Sequence, residues 1–301
     1  MTDEIARIYS DAGCSGTFCA QSLEGGPSVE LDADRPMTPA SVIKVPVALT
    51  VLTEIARGRL DGRTRVLLPA ARRTPGPVGV SLMDDDVEMS LRDLTSLMLT
   101  ISDNPSTDAL VGAVGVDAVN DLLASLGLTG TLLSSDLMTM LDAMAVEAGF
   151  PDYSALAVYE PSAPGDPDAD EIRRRLGSTA ALDPERGSRT TARDGVRLLQ
   201  AIWHDEAGPV DACAQVRGSM AQQLTRHRVA AGFPPGVLVA AKSGGLMGIV
   251  RNEVAVVRLA DGSSYAVAAF TRSDPGRRAD PRPIDAAIGA AAAHAVAVLH
   301  G

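Results

Sequence analysis

Apolar and polar residues along this chain switch between two periodicities, and each switch marks an element. The opening residues 2–12 are acidic and amphipathic, as in a short helix. In SGTFCAQSLEGGPSVELDAD the pattern alternates and is broken by Gly-Gly-Pro, which predicts a β-hairpin. From Ser41 the polar face disappears: VIKVPVALTVLTEIARG is apolar on most sides, the mark of a helix buried nearly all round and ending at Gly58. Pro46 is compatible with that helix only because it falls within the first turns. SLRDLTSLMLTI starts on a capping-box-like Ser90 and Asp93 and sets Leu91, Leu94, Met98 and Ile101 at helical spacing. It stops at SDNP, where Pro105 opens a new helix, and VDAVNDLLASLG adds a third helical segment.

Residues 150–190 are polar and rich in Pro, Gly, Asp and Arg, so a long surface loop is expected there, with one short helical stretch at DEIRRRLG. TTARDGVRLLQAIWHDE and DACAQVRGSMAQQL then read as helices. GVLVAAKS, IVRNEVAVVRL and SSYAVAAFTR read as a three-stranded meander, and a last helix starts near Ile284. The predicted fold class is α/β: an antiparallel sheet flanked by helices from about 1–48 and 205–301, with an all-α lobe at about 49–204, in a single domain.

Composition narrows the function. The chain has 301 residues, 46% of them hydrophobic, enough for a substantial core. A net charge of -11, with arginines scattered among carboxylates, argues for no nucleic-acid partner and no basic membrane-surface helix. The alanine-rich stretch IGAAAAHAVAVLH reads as a packed terminal helix, too short and polar to span a bilayer, so no membrane association is expected. The N-terminal residues lack the features of a secretory signal, which gives a cytoplasmic expectation. Cys14, Cys19 and Cys213 are an odd set without ligand spacing and read as buried free thiols; His204, His227, His294 and His300 lack ligand spacing too. Neither a metal nor a cofactor is implied.

Of 27 basic residues only Lys44 and Lys242 are lysine, and the other 25 are arginine. An ammonium can lose its proton whereas a guanidinium effectively cannot, so the two exceptions invite a chemical reading. Lys44 lies one helical turn from Ser41 at the start of a very apolar helix, where its side chain should face an interior or a cleft. Burial there would bring its pKa from ~10.4 toward 7, and the neutral amine could take the serine proton. Taken singly, Ser41-x-x-Lys44, Ser102-Asp103-Asn104 and Lys242-Ser243-Gly244 are unremarkable, and helix capping explains the second. Together, in that order, they fall on a helix start, an inter-helix loop and a strand, and use both lysines.

That set resembles the signature of the class A β-lactamase-like serine hydrolases, the penicillin-recognising serine enzymes. The resemblance covers nearly the whole chain and implies a β-lactamase/transpeptidase-like fold. It implies that Ser41 is the nucleophile forming an acyl-enzyme, Lys44 its base or proton relay, and Ser102 the group passing a proton to the leaving atom. Asn104 would bind a substrate amide, Lys242 and Ser243 a substrate carboxylate, and the main-chain N–H groups of Ser41 and Gly245 would form the oxyanion hole. Gly244 would leave room for strand-like binding of substrate. Arg228 is a further candidate for the carboxylate, with a plain surface role the simpler reading.

One part of the pattern is missing. Class A enzymes hydrolyse the acyl-enzyme with a glutamate in E-x-x-L-N after S-D-N, and this chain has no match. Glu160, followed by proline, is the nearest echo and the candidate deacylation base; Glu147, Glu171 and Glu185 are the others. The expected activity is a serine hydrolase acting on a small carboxylate-bearing lactam, ester or amide, with atypical or weak deacylation. An acyltransferase using the same acyl-enzyme and a non-catalytic acyl-ligand-binding protein are the alternatives.

Overall fold

The computed structural model describes residues 2–159, 167–273 and 281–301. Helix α1 (Thr2–Asp11) leads into the hairpin β1 (Cys14–Ser22) and β2 (Ser28–Leu31); a 3-10 turn, Ala40–Ile43, then runs into α2 (Lys44–Ala56). Two short strands, β3 (Arg65–Leu68) and β4 (Val87–Ser90), pair with each other and precede α3 (Leu91–Thr100), α4 (Asn104–Val114) and α5 (Val116–Ser125). Next come α6 (Leu137–Ala148), α7 (Tyr153–Ala157), α8 (Pro167–Gly177), α9 (Ala192–Trp203) and α10 (Val210–Ala221). The meander β5 (Leu238–Leu246), β6 (Val250–Arg258) and β7 (Ser264–Ser273) and the helix α11 (Pro281–His300) end the chain.

The main sheet is antiparallel in the order β2-β1-β7-β6-β5, so the first strand of the chain closes on the last and β5 is an edge. Both faces are covered. Along β7, Ala266, Ala268 and Phe270 join the cluster built around α2 and α9, while Tyr265, Val267 and Ala269 join the one under α1 and α11. This is the strand alternation expected for a sheet with helices on each side. The cluster around α2 continues into α3, α4 and α5 through Leu94, Met98, Leu110 and Val119, which explains why α2 has no polar face. Cys14, Cys19 and Cys213 are buried thiols that form no disulfide with one another.

Three expectations need revising. The lobe at about 49–204 is not all-α, because β3 and β4 pair within it. Residues 150–190 are not one long loop: besides α8, which contains the helical stretch expected at DEIRRRLG, α7 lies there, capped by Asp152, and Leu156 and Leu176 bury into a third apolar cluster with Leu141, Met144 and Ala145 of α6. So few apolar residues commit to that cluster that the sequence pattern stayed faint. Helix α11 is also longer than the apolar stretch suggested. By length and composition it could cross a bilayer, but half of its most apolar window is buried, and Ile284, Ile288 and Ala292 pack on the sheet.

The sheet fixes the turn that carries Ser41 through one side chain. Asn252 of β6, fully buried, donates from Nδ2 to the carbonyls of Thr38 (2.9 Å) and Pro39 (3.0 Å) and accepts from the Thr271 N–H (3.0 Å). Truncating it would take a partner from three buried backbone groups, of which the Pro39 carbonyl would keep the Val42 N–H (3.2 Å). Asn252→Ala is therefore expected to cost about 2–4 kcal/mol of stability, read as a lowered urea midpoint at unchanged slope; a loss within the error of the melt would show that these bonds do not hold the turn.

Candidate active site

Ser41 sits in the 3-10 turn ahead of α2, half-buried, on a cleft of about 300 Å³. Its hydroxyl has no hydrogen-bond partner among the described residues. Ala40 before it has φ 47°, a left-handed conformation that a non-glycine residue adopts only at a cost, and the Asn252 anchor holds it there. The turn lies against β5 so closely that a Cβ on Gly244 would come 2.8 Å from the Pro39 carbonyl and 3.2 Å from the Ser41 nitrogen. Glycine is thus needed here for the approach of strand and turn, a different reason from the room for substrate expected of it. The Ser243 N–H donates to Gln223 Oε1 (2.5 Å) rather than to β6. By strand alternation Gly245, two residues on, turns its N–H to the same free edge, beside the Ser41 N–H.

Lys44 opens α2 and is fully buried. Its Nζ donates to the Ser102 carbonyl (2.7 Å) and to Asn104 Oδ1 (2.8 Å), and Ser102 Oγ lies 3.3 Å away. The amine therefore bonds to the S-D-N turn and not to Ser41, one turn behind it, as the spacing had suggested. Burial pushes its pKa down from 10.5 to about 7 against the opposing pull of Asp103 and Asp108. A neutral amine has two N–H donors and one lone pair. With those donors on the Ser102 carbonyl and Asn104 Oδ1, the neutral form keeps a lone pair for a hydroxyl, whereas the charged form places its third N–H on Ser102 Oγ.

The S-D-N turn is held by its middle residue. Asp103 caps α4 through the Ser106 N–H (2.9 Å) and with its other oxygen accepts the Val80 N–H (2.8 Å). This supports Ser102 at φ 66°, again left-handed. Asn104 lines the cleft, but its amide is already engaged at both ends, Nδ2 donating to the Pro75 carbonyl (2.8 Å).

The third motif divides between surface and interior. Ser243, Gly244 and Gly245 line the cleft together with Thr225. Lys242 does not: it is fully buried behind them, and its Nζ donates to the Ser243 carbonyl (2.8 Å). Burial, and next the charge of Lys44, push its pKa well below the usual lysine value. Arg228 is not a surface residue. It is 5% exposed, borders the cleft, and donates to Asp285 (2.8 Å) and to the carbonyls of Gly244 (2.7 Å) and Asn252 (2.6 Å). Glu253, also buried, accepts from the Val229 N–H (2.7 Å), and burial raises its pKa while Arg228 and Lys242 oppose. Sequence reasoning missed Asn252, Glu253, Gln223 and Thr225. For Asn252 and Glu253 a signal existed, since two adjacent polar residues interrupt an otherwise apolar buried strand.

Among the described residues no carboxylate lines the cleft. Glu160 lies outside the described residues. Glu147 is tied to the Ala180 N–H (2.7 Å) and Arg186 (3.0 Å), Glu171 to Arg174 (2.6 Å) and Arg175 (2.8 Å), and Glu185 is exposed. What α6 brings to the cleft is Leu137, Met140 and Leu141. Their i, i+3, i+4 spacing is that of the Glu, Leu and Asn in E-x-x-L-N, and all three are apolar.

Comparison with known proteins bears on the family and the fold. The family described as "Beta-lactamase enzyme family" matches residues 1–299. A curated relative, the "Beta-lactamase regulatory protein BlaB" of Streptomyces cacaoi, is 28% identical over 282 residues, 90% of this chain and 88% of that protein. Among solved structures, a β-lactamase from Sphaerobacter thermophilus superposes with TM-score 0.77 at 24% identity, over 99% of this chain and 97% of its own. A mutant of PBP-A, solved as an acyl-enzyme complex with penicillin G, gives 0.75 at 18% identity over 99% and 96%. These likenesses establish the β-lactamase/transpeptidase-like fold.

Because the chain has two lysines, selective lysine labelling isolates the central electrostatic claim. The NMR signal that disappears in Lys44→Met is expected to titrate with a midpoint about 7. A midpoint near the ordinary lysine value would mean that the amine is not desolvated.

Proposed function

The chain belongs to the beta-lactamase enzyme family, and from that premise we propose that it is a serine hydrolase whose Ser41 is acylated quickly and released slowly. The observation that carries the reading is the buried Lys44 amine, bonded to Ser102 and Asn104 at the edge of the cleft that holds Ser41. In the mechanism, Ser41 Oγ attacks the carbonyl carbon of a lactam, ester or amide while the Lys44 lone pair takes its proton. The N–H groups of Ser41 and Gly245 hold the carbonyl oxygen as it becomes an oxyanion. Collapse breaks the bond to the leaving nitrogen or oxygen, and Ser102, beside Lys44, relays the proton to it. Ser243, Thr225 and the rim of Arg228 offer hydroxyls and positive charge to a substrate carboxylate, with Lys242 behind Ser243 fixing the strand by its bond to the Ser243 carbonyl.

The second half-reaction needs a base to position water, and the apolar wall of α6 supplies none. This supports a long-lived acyl-enzyme. A second reading, a covalent sensor for acylating ligands, draws support from the same wall and from the regulatory protein among the relatives.

Intact-protein mass after mixing with a penicillin is the direct test. The wild type is expected to gain the mass of the whole β-lactam and to keep it over hours, and Ser41→Ala to gain nothing. An equal gain in both proteins sinks the assignment of Ser41; rapid loss of the adduct with product accumulating sinks the slow release. Acylation is expected to rise with pH through about 7, because the base is the neutral form of an amine whose pKa burial has lowered. Leu137→Glu, which returns a carboxylate to the wall, is expected to speed loss of the adduct roughly 10- to 100-fold.

A further inference from the structure

The segment in which the sequence departs from the family pattern builds the third apolar cluster, and one side of that cluster is left open. Met140 and Leu246 pack against it while staying only partly buried, and with Leu137, Leu141 and Ala181 they line the cleft that holds Ser41. Leucine and methionine side chains kept half-exposed in a concave site are apolar surface that water covers unfavourably and an apolar ligand can cover instead. Methionine at the centre of the wall adapts to the shape of what it meets. Helix α6 itself brings only apolar side chains to the cleft; polar groups such as Ser102, Asn104, Thr225 and Ser243, and Ser135 and Ser188 nearby, come from outside it. In a cleft of about 300 Å³ an acyl group on Ser41 lies within reach of this wall.

Resting on the acyl-enzyme reading above, we propose that the group transferred to Ser41 is an extended apolar acyl chain, alkyl or aryl, that packs on Leu137, Met140, Leu141 and Leu246. With an ester donor, a bond forms between Ser41 Oγ and the carbonyl carbon, and the bond from that carbon to the leaving oxygen breaks. Its electron pair stays on the leaving oxygen, which receives the proton given up by Ser41 through Lys44 and Ser102. No oxidant, reductant or cofactor enters.

The test measures the burst of p-nitrophenolate from p-nitrophenyl acetate, butyrate, hexanoate and octanoate, which share one leaving group, for the wild type, Ser41→Ala, Met140→Gln and Leu246→Gln. The Ser41-dependent acylation rate at low ester concentration is expected to rise about three- to four-fold per added methylene until the cleft is full. Either glutamine variant is expected to shrink the hexanoate-to-acetate ratio at least three-fold, and Met140→Leu to restore it. Two independent wall positions guard against one variant failing to fold. A Ser41-dependent burst whose rate is flat or falls with chain length overturns the apolar-acyl assignment and leaves the acyl-enzyme reading standing. The absence of any Ser41-dependent burst, together with the absence of a penicillin adduct, overturns both.

Discussion

The burial of one amine organises this molecule. Helix α2 is packed on every side, so the side chain of its first residue has nowhere to go except inward, toward the S-D-N turn. An ammonium there finds three acceptors in the turn, the Ser102 carbonyl, Asn104 Oδ1 and the longer Ser102 Oγ at 3.3 Å, so the bonds accommodate both forms of the amine. Burial is what favours the neutral one, the form that can accept a proton. It also explains lysine in a chain that otherwise uses arginine: five fixed donors that never deprotonate could be neither satisfied nor useful at this position. Ser102 can present its carbonyl only in a left-handed conformation, and Asp103 sustains that conformation by capping α4 and gripping Val80. The three residues of the motif are thus one mechanical unit serving Lys44.

A second buried polar chain serves the electrophile side. Asn252 ties the Ser41 turn to β6, Gly244 lets β5 come up beneath that turn, and Arg228 joins the Gly244 and Asn252 carbonyls to Asp285 on α11. Arg251 adds two bonds to the same carboxylate (2.7 and 2.6 Å). Each polar group is buried with partners, so the relative placement of the Ser41 and Gly245 N–H groups is resisted on several sides at once. Preorganisation of this kind lets two backbone donors stabilise an oxyanion without rearranging as charge develops.

Much of this was legible from the chain alone, and the exceptions have a common cause. Continuous local periodicity disclosed α2, α3, the meander and the hairpin, and the three motifs gave Ser41, Lys44 and Ser102, which the fold brings to one cleft edge. Long-range polar partnerships left little trace: Asn252 acts on residues more than two hundred positions earlier, and the burial of Arg228 depends on Asp285 in the last helix. Nothing local distinguishes such an arginine from the many at the surface. Helix α7 was obscured, and α8 legible only as a short stretch, for a different reason: they bury so few apolar residues that polar composition dominated their pattern. The search for the missing glutamate looked for a residue type, whereas the informative signal was the helical spacing of Leu137, Met140 and Leu141.

That spacing joins two properties that would otherwise look independent. A water poised to attack an ester needs two to four polar partners, and a wall of leucine and methionine provides none. The same side chains give an apolar acyl group something to cover. In the proposed mechanism, persistence of the adduct and preference for an apolar acyl chain are two consequences of one set of apolar residues on α6, and they should move together. A polar residue introduced on that wall admits a water and at the same time weakens the grip on the acyl chain. In this chain the wall is continuous with the cluster formed by α6, α7 and α8. Residue 137 lines the cleft but lies outside that cluster, so a carboxylate placed there leaves the small core intact, whereas a polar residue at Met140 or Leu246 disturbs cleft and core together.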